Sequence, residues 1–591
     1  MRAGLFALLS LLATAVAAAP NPALTTVAER SGFVRTGRYD EVVALCADFA
    51  QAYRDAVRCI EFGRTPEGRP MHALIATRSG ALTPEAARER ALPVLLFQGG
   101  IHAGEIDGKD AGFLALRELL QGRAAKGALE HVVIVFVPVF NVDGHERFGR
   151  WNRPNQRGPE EMGWRVTAQN LNLNRDYAKA DSPEMQAMLR LVEAWDPILY
   201  TDLHATDGAQ FEHDVSVQVE PLYSGDDGLR AAGRALRDSM MAKLAEQGSL
   251  PLPFYPSFVT HDDPASGFTD GVAPPRFSTG YLTLRNRFGV LVETHSWKDY
   301  RTRVGITRNV VVDLVELAVE RGARWLALAN AADAAAAKLG GAVVPLDYKA
   351  QGEGRTIDFR GYAYTRTPSE ISGALMTRYD EKVPQVWRVT LRDDVRPNTT
   401  VVAPSGGYVV PAAHAARVAE RLAVHGIAFR RLGALPETQV EAFRASKASF
   451  DAGSLEGRHR VTLEGSWQPE RHAIAAGALF VPIAQPKARL VVALLEPQAP
   501  DSIAAWGGFN AHFEQKEYME DYVAEAVARE QLARDPKLAA EFHRRLAEDP
   551  AFAQSPAARL GFFHRRHASW DAAYNLYPVL RVADSLEPIL K

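Results

Sequence analysis

The chain has 591 residues, with 68 Lys and Arg against 71 Asp and Glu, a formal net charge of −3. At roughly 100–200 residues per domain this length holds several domains, and 47% hydrophobic with 24% charged residues excludes a disordered, collagen-like or fibrous chain. The charge balance argues against a nucleic-acid binder, which usually needs a basic excess, and two cysteines, Cys46 and Cys59, exclude a disulfide framework or a four-cysteine zinc site. The chain opens with Arg2, then an apolar run from Leu5 to Ala19 that ends in small residues. This is the layout of a secretory signal peptide over residues 1–19, and the run is shorter than the ~20 residues a membrane-spanning helix needs. The expectation is a secreted or periplasmic protein with no membrane span after signal removal. An oxidising compartment permits a Cys46–Cys59 bridge, with two buried thiols as the alternative.

Apolar spacing predicts a helix over Tyr39–Tyr53. Four strand candidates follow, Pro93–Phe97, Val132–Val139, Ile198–Leu203 and Val290–Val292, separated by helices near Lys109–Leu120 and from Ser182-Pro183 to Trp195. Interleaved strands and helices predict an α/β fold with a mixed, largely parallel sheet and helices on both faces. Pro251–Pro275 is a long proline-rich connection of the kind that serves function. An alanine-rich helix near Val310–Ala337 closes a first unit spanning residues 25–340. Residues 345–591 read as a C-terminal α+β region. Strands are expected at Val401–Val410, Ile427–Arg431, Arg460–Leu463 and Arg489–Leu495, a helix at Pro411–Val424, and mainly helix from about residue 514. Trp467, Trp506, Tyr518 and Tyr522 there fit either a binding surface or a core.

His102 and Glu105 stand three apart in the turn Gly99-Gly100-Ile101-His102-Ala103-Gly104-Glu105, where both could reach one metal ion. The spacing decides nothing alone, since His204 and Asp207 repeat it. Position adds weight. His204 ends the third strand candidate and Glu293 the fourth, and ligands of open α/β sheets gather at the carboxyl ends of strands. Two His and one Glu leave a fourth zinc position for water. In Asn170-Leu171-Asn172-Leu173-Asn174-Arg175, Asn174 and Arg175 suit a carboxylate, gripped by the guanidinium fork and the amide, or a capped turn with a structural ion pair.

GGIHAGE, NVDG at Asn141–Gly144, NLNRDY, DLH and LVETH, in that order, resemble the zinc carboxypeptidases related to pancreatic carboxypeptidase A; the resemblance covers about Tyr39–Asn330. It implies one zinc ion bound by His102, Glu105 and His204, a peptide carboxylate held by Asn174 and Arg175, and Glu293 as catalytic carboxylate. Arg165 in Trp164-Arg165-Val166-Thr167 matches the arginine that polarises the scissile carbonyl, with Arg157 as the alternative. Tyr281 is the first candidate for the family's mobile tyrosine at the substrate and Tyr255 the second. Asn172 stands where the family often has an Asp that orients the first histidine, and Asp202 is placed to support a ligand from the same strand face. His145 and His295 are not expected to bind metal. Ser278–Arg287 holds no acid, which argues against a preference for basic C-termini.

The implied activity is hydrolysis of the last peptide bond of peptides with a free C-terminal carboxylate, with no nucleic-acid partner. Two other readings remain open: a zinc amidase or peptidase acting on cell-wall peptides or acyl-amino acids, and an inactive peptide-binding pseudo-peptidase.

Overall fold

A computed structural model describes residues 24–206, 208–584 and 586, so the signal segment expected at 1–19 lies outside the described residues. Its centre is an eight-stranded mixed sheet. The strands are β1 (Val57–Arg64), β2 (Pro70–Ala76), β3 (Val94–Gly99), β4 (Val133–Val137), β5 (Leu199–Thr206), β6 (Val215–Glu220), β7 (Pro251–Leu252) and, after the short strand β8 (Phe268–Thr269) of another sheet, β9 (Phe288–His295). They lie in the order β1-β2-β4-β3-β5-β9-β6-β7, with β4, β3, β5 and β9 parallel to one another, β1 antiparallel to β2, β2 to β4 and β6 to β9, and β7 parallel to β6. Every residue of β3, β4 and β5 is buried. Because side chains alternate between faces, full burial means both faces are covered, which is why these strands read as unbroken apolar runs.

Helices Asp107–Leu120, Asp227–Glu246 and Tyr300–Ala336 pack on one another beside the sheet. Pro183–Trp195 starts at the expected cap, Ser182 Oγ accepting the Met185 N–H at 3.2 Å. Cys46 and Cys59 are joined in a disulfide that ties helix Tyr39–Ala52 to β1. Among the described residues no helix is long and apolar enough to cross a membrane.

The C-terminal region carries a six-stranded sheet and two long hairpins, Arg355–Pro368 with Leu375–Arg392 and Leu435–Phe450 with Val461–Ile474. Arg489–Leu495, expected as a strand, is instead helix Ala488–Leu495; an apolar run this short fits either state. The expected strand Val401–Val410 is two short strands, Thr400–Val402 and Gly407–Val410. The two halves interlock: β8 pairs with Leu391–Arg392, and one core cluster draws residues from both.

Glu220, at the end of β6, is 6% exposed and accepts the Leu222 N–H at 2.8 Å. Burial, reinforced by the Asp270 carboxylate, pushes its pKa up to about 8. The folded protein then keeps a proton that the unfolded chain has lost, so this group costs stability progressively from about pH 4.5 to 8. Glu220→Gln should raise the melting temperature by about 2–4 °C at pH 8 and leave it unchanged near pH 4. Equal melting curves at pH 8 would show that the carboxyl is not held protonated.

Candidate active site

β3 ends at Gly99, and the turn after it runs through Gly100 at φ +61° to His102. Gly104 permits a close approach: a Cβ there would meet Arg153 Cγ at 2.6 Å. That approach brings Arg153 Nη1 to Glu105 Oε1 at 2.8 Å. β5 delivers His204, and β9 delivers Glu293 directly beside it in register.

His102, Glu105 and His204 converge, buried, with one donor atom each inside 4.8 Å of the others. His102 Nδ1 lies 3.0 Å from Glu105 Oε1, and His204 Nδ1 lies 2.8 Å from Oε2. Zinc bonds of about 2.0–2.1 Å in a tetrahedron separate donor atoms by roughly 3.3 Å, so these spacings fit one zinc ion. His102 Nδ1 also lacks an aligned hydrogen-bond partner although it is buried. A buried ring nitrogen with no aligned partner beside a carboxylate fits the donor atom of a metal site. Burial holds His102 down at about pKa 4, leaving it neutral and able to donate its lone pair.

The far ring nitrogens turn away from the triad. His102 Nε2 is 3.1 Å from Asn172 Oδ1, and His204 Nε2 is 3.0 Å from Asp202 Oδ1. Such partners fix ring orientation. Asn172→Ala should therefore weaken zinc binding by about 10–100-fold in a chelator competition, and Asn172→Asp, which keeps the acceptor and adds charge, should tighten it. Unchanged affinity in both would remove Asn172 from this role.

A cleft of about 610 Å³ opens on the triad and is lined by His102, Glu105, Arg165, Asn174, Arg175 and Glu293. Arg165 is half-exposed and rests 3.2 Å from Glu105. Arg175 stacks over Phe277 at 4.5 Å, and no carboxylate among the described residues lies within ion-pair distance of it. Burial, with Arg165 and Arg276 nearby, lowers its pKa, so an anion here would relieve the strain of like charges. No hydrogen bond among the described residues ties up the Asn174 side-chain amide, whose oxygen is buried without a partner. Glu293 is 7% exposed. Burial, reinforced by Glu105 and Asp202 against His204 and Arg153, pushes its pKa up to about 8.

One expectation is corrected. Tyr281 does not reach the cleft: it is fully buried and its hydroxyl meets His425 Nδ1 at 3.0 Å. Tyr255, on the proline-rich connection, lines the cleft instead. Arg157 pairs with Glu381 outside it. His145 and His295 stand apart from the triad, His295 stacked on Phe211 at 4.0 Å.

Two contributors have no signal in the sequence. Arg153 is buried and braces Glu105 while bonding Ala205 O at 2.9 Å. Glu456, at the tip of a C-terminal hairpin, accepts the Asn172 N–H at 2.7 Å. Arg421 and Arg458 grip Asp181 nearby, so the C-terminal region holds the turn that carries Asn174 and Arg175.

A family profile described as zinc carboxypeptidase matches residues 42–240. The chain is similar to Carboxypeptidase 2 of Trichophyton equinum, 24% identical over 481 residues that span 75% of this chain and 79% of the relative. Carboxypeptidase 2 of Trichophyton rubrum is 24% identical over 479 residues, spanning 75% and 79%. Among solved structures, a metallo-carboxypeptidase from Burkholderia cenocepacia is 17% identical over 46% of this chain and 67% of its own, at a TM-score of 0.33. Carboxypeptidase A from Helicoverpa armigera is 17% identical over 50% and 74%, at a TM-score of 0.34.

Proposed function

Residues 42–240 belong to the zinc carboxypeptidase family, a metallocarboxypeptidase domain that takes one zinc ion, and from that premise we propose that the protein is an exported enzyme releasing C-terminal residues from peptides. The observation that carries this reading is one cleft holding the triad, a buried carboxylate and two arginines, one of them without a carboxylate partner. His102, Glu105 and His204 hold the ion. Zinc bound there supplies a Lewis acid and brings the pKa of a coordinated water from 15.7 toward about 7.

The remaining chemistry belongs to the chain. Glu293 takes the proton of the attacking water and returns one to the leaving amine. Arg165, on a half-exposed side chain, donates to the oxygen that gains charge as the peptide carbonyl is attacked. Arg175 and Asn174 hold the terminal carboxylate, which sets the last peptide bond against Glu293. Gln218, Thr279 and Leu291 give the side-chain pocket a neutral wall. Arg285 and Arg287 face Glu193 and Asp196 instead. A neutral wall favours uncharged C-terminal side chains.

The test is release of the C-terminal residue from a peptide and from the same peptide amidated at its C-terminus. Amidation removes the charge that Arg175 grips, worth about 1.5–3 kcal/mol, so kcat/KM should fall at least about tenfold. Arg175→Met should fall equally on the free peptide and show no further loss on the amide. Equal hydrolysis of both peptides by the native enzyme would contradict the carboxylate clamp. For export, the run Leu5–Ala19 predicts that protein recovered outside the cytoplasm lacks residues 1–19 on N-terminal sequencing.

A further inference from the structure

A second cavity, of about 350 Å³, lies on the far side of the wall formed by Ala273 and Pro274, which both cavities share. One side is the segment around Arg276, another is Val344–Tyr348, and a third is the helix Ala488–Leu495. Its polar groups are unusual. Ser224 is 5% exposed and its Oγ has no hydrogen-bond partner. Arg489 is half-buried, its Nε is shielded without a partner, and it makes no hydrogen bond or ion pair among the described residues.

The other charges around the cavity are already matched. Arg276 donates to Asp501 through both its backbone and Nη1, each at 2.9 Å. Arg460 stacks over Trp506 at 4.8 Å, bonds the Pro500 carbonyl and lies 3.8 Å from the Asp501 carboxylate, although its Nε has no partner. Asp347 accepts from Asn398 Nδ2 at 2.9 Å and Thr399 N at 2.6 Å. That leaves Arg489 as the lining guanidinium with no hydrogen bond or ion pair among the described residues, and Ser224 as a buried hydroxyl without a partner. A guanidinium Nε shielded from water without an acceptor is costly, and buried polar atoms in folded proteins almost always find partners. Much of the remaining lining, including Val272, Leu284, Val344, Leu346 and Val492, is apolar, with Thr283 and Tyr348 as its other polar members.

We propose that this cavity binds a small carboxylate with an apolar body, its anionic end on Arg489 and Ser224 and its hydrocarbon against the valine and leucine side chains. The volume suits a ligand of amino-acid size. Two sources share this chemistry, a free apolar amino acid and a short branched acyl carboxylate. Binding here is separate from catalysis, although the shared wall continues into Phe277, on which Arg175 stacks.

The test must silence the active-site clamp first. Isovalerate, leucine and inorganic phosphate are titrated calorimetrically into the zinc-loaded full chain carrying Arg175→Met. Isovalerate or leucine should bind one to one, and phosphate, which has no apolar body, at least about tenfold more weakly. Tighter leucine binding identifies the amino acid as the source, and tighter isovalerate binding the acyl carboxylate. Adding Arg489→Met should weaken the better ligand by about tenfold or more. Adding Ala493→Phe, which fills the cavity from a half-buried position, should abolish binding while the thermal melt confirms the fold. Absence of saturable binding by both carboxylates, or binding that survives both second-site changes, overturns the proposal. The readout is heat, so a failure of the peptide-release assay would leave it standing.

Discussion

Glu293→Gln should lower kcat by about 10²–10⁴-fold, with zinc retained at one ion per chain and KM little changed. Glu293 sits in β9 beside His204 and is nearly buried, so the substitution keeps the volume and the strand pairing. What it removes is a basic oxygen. The carboxylate is suited to the task because burial and the Glu105 and Asp202 carboxylates push its pKa up to about 8 in the absence of a cation. A divalent ion in the triad acts in the opposite sense and draws it back toward neutrality or below. Glutamine can neither take a proton from water nor return one to the amine. Single-turnover and steady-state rates on one peptide, with metal content measured on the same sample, provide the check. A variant that keeps a tenth or more of the native turnover would remove Glu293 from proton transfer.

His204→Ala should abolish turnover and bound zinc together. The side chain is buried between Glu105 and Asp202, and its loss leaves two protein donors where the ion needs three. The ion contributes several kcal/mol of transition-state stabilisation, so activity should drop by at least about 10³-fold. A chelator should bring the native enzyme to the same level, and added zinc should restore the native enzyme but not the variant. Native-like activity in a zinc-free sample would contradict the assignment of the cofactor.

The site was legible where local order sets position. His102, His204 and Glu293 lie at or just after strand ends, so recognising β3, β5 and β9 as apolar runs was enough to bring them near one another. Tyr281 was misread because the sequence does not say which side of the short helix Ser278–Leu284 faces the cleft. Packing decided it: the ring is taken up by Tyr177 and by His425 of the C-terminal region. Glu456 was out of reach for a related reason. It meets Asn172 across 284 positions of chain, and no local pattern encodes such a contact.

The hairpin strands Arg355–Pro368 and Leu375–Arg392 escaped notice because they are exposed along much of their length and carry no clean apolar alternation. Their aromatic residues Phe359 and Trp387 instead pack with Phe211 and Phe268 of the N-terminal half. The central sheet therefore follows from its own segment, whereas the support of the turn that carries Asn174 and Arg175 depends on the whole chain.

The most direct measurement of the central claim is an anomalous difference map at the zinc edge from crystals of the zinc-loaded protein. The account predicts a single strong peak bonded to His102 Nδ1, His204 Nδ1 and the Glu105 carboxylate at about 2.0–2.2 Å, opening on the cleft that holds Glu293 and Arg175. A peak elsewhere in the molecule, with these three side chains left in contact only with one another, would contradict it.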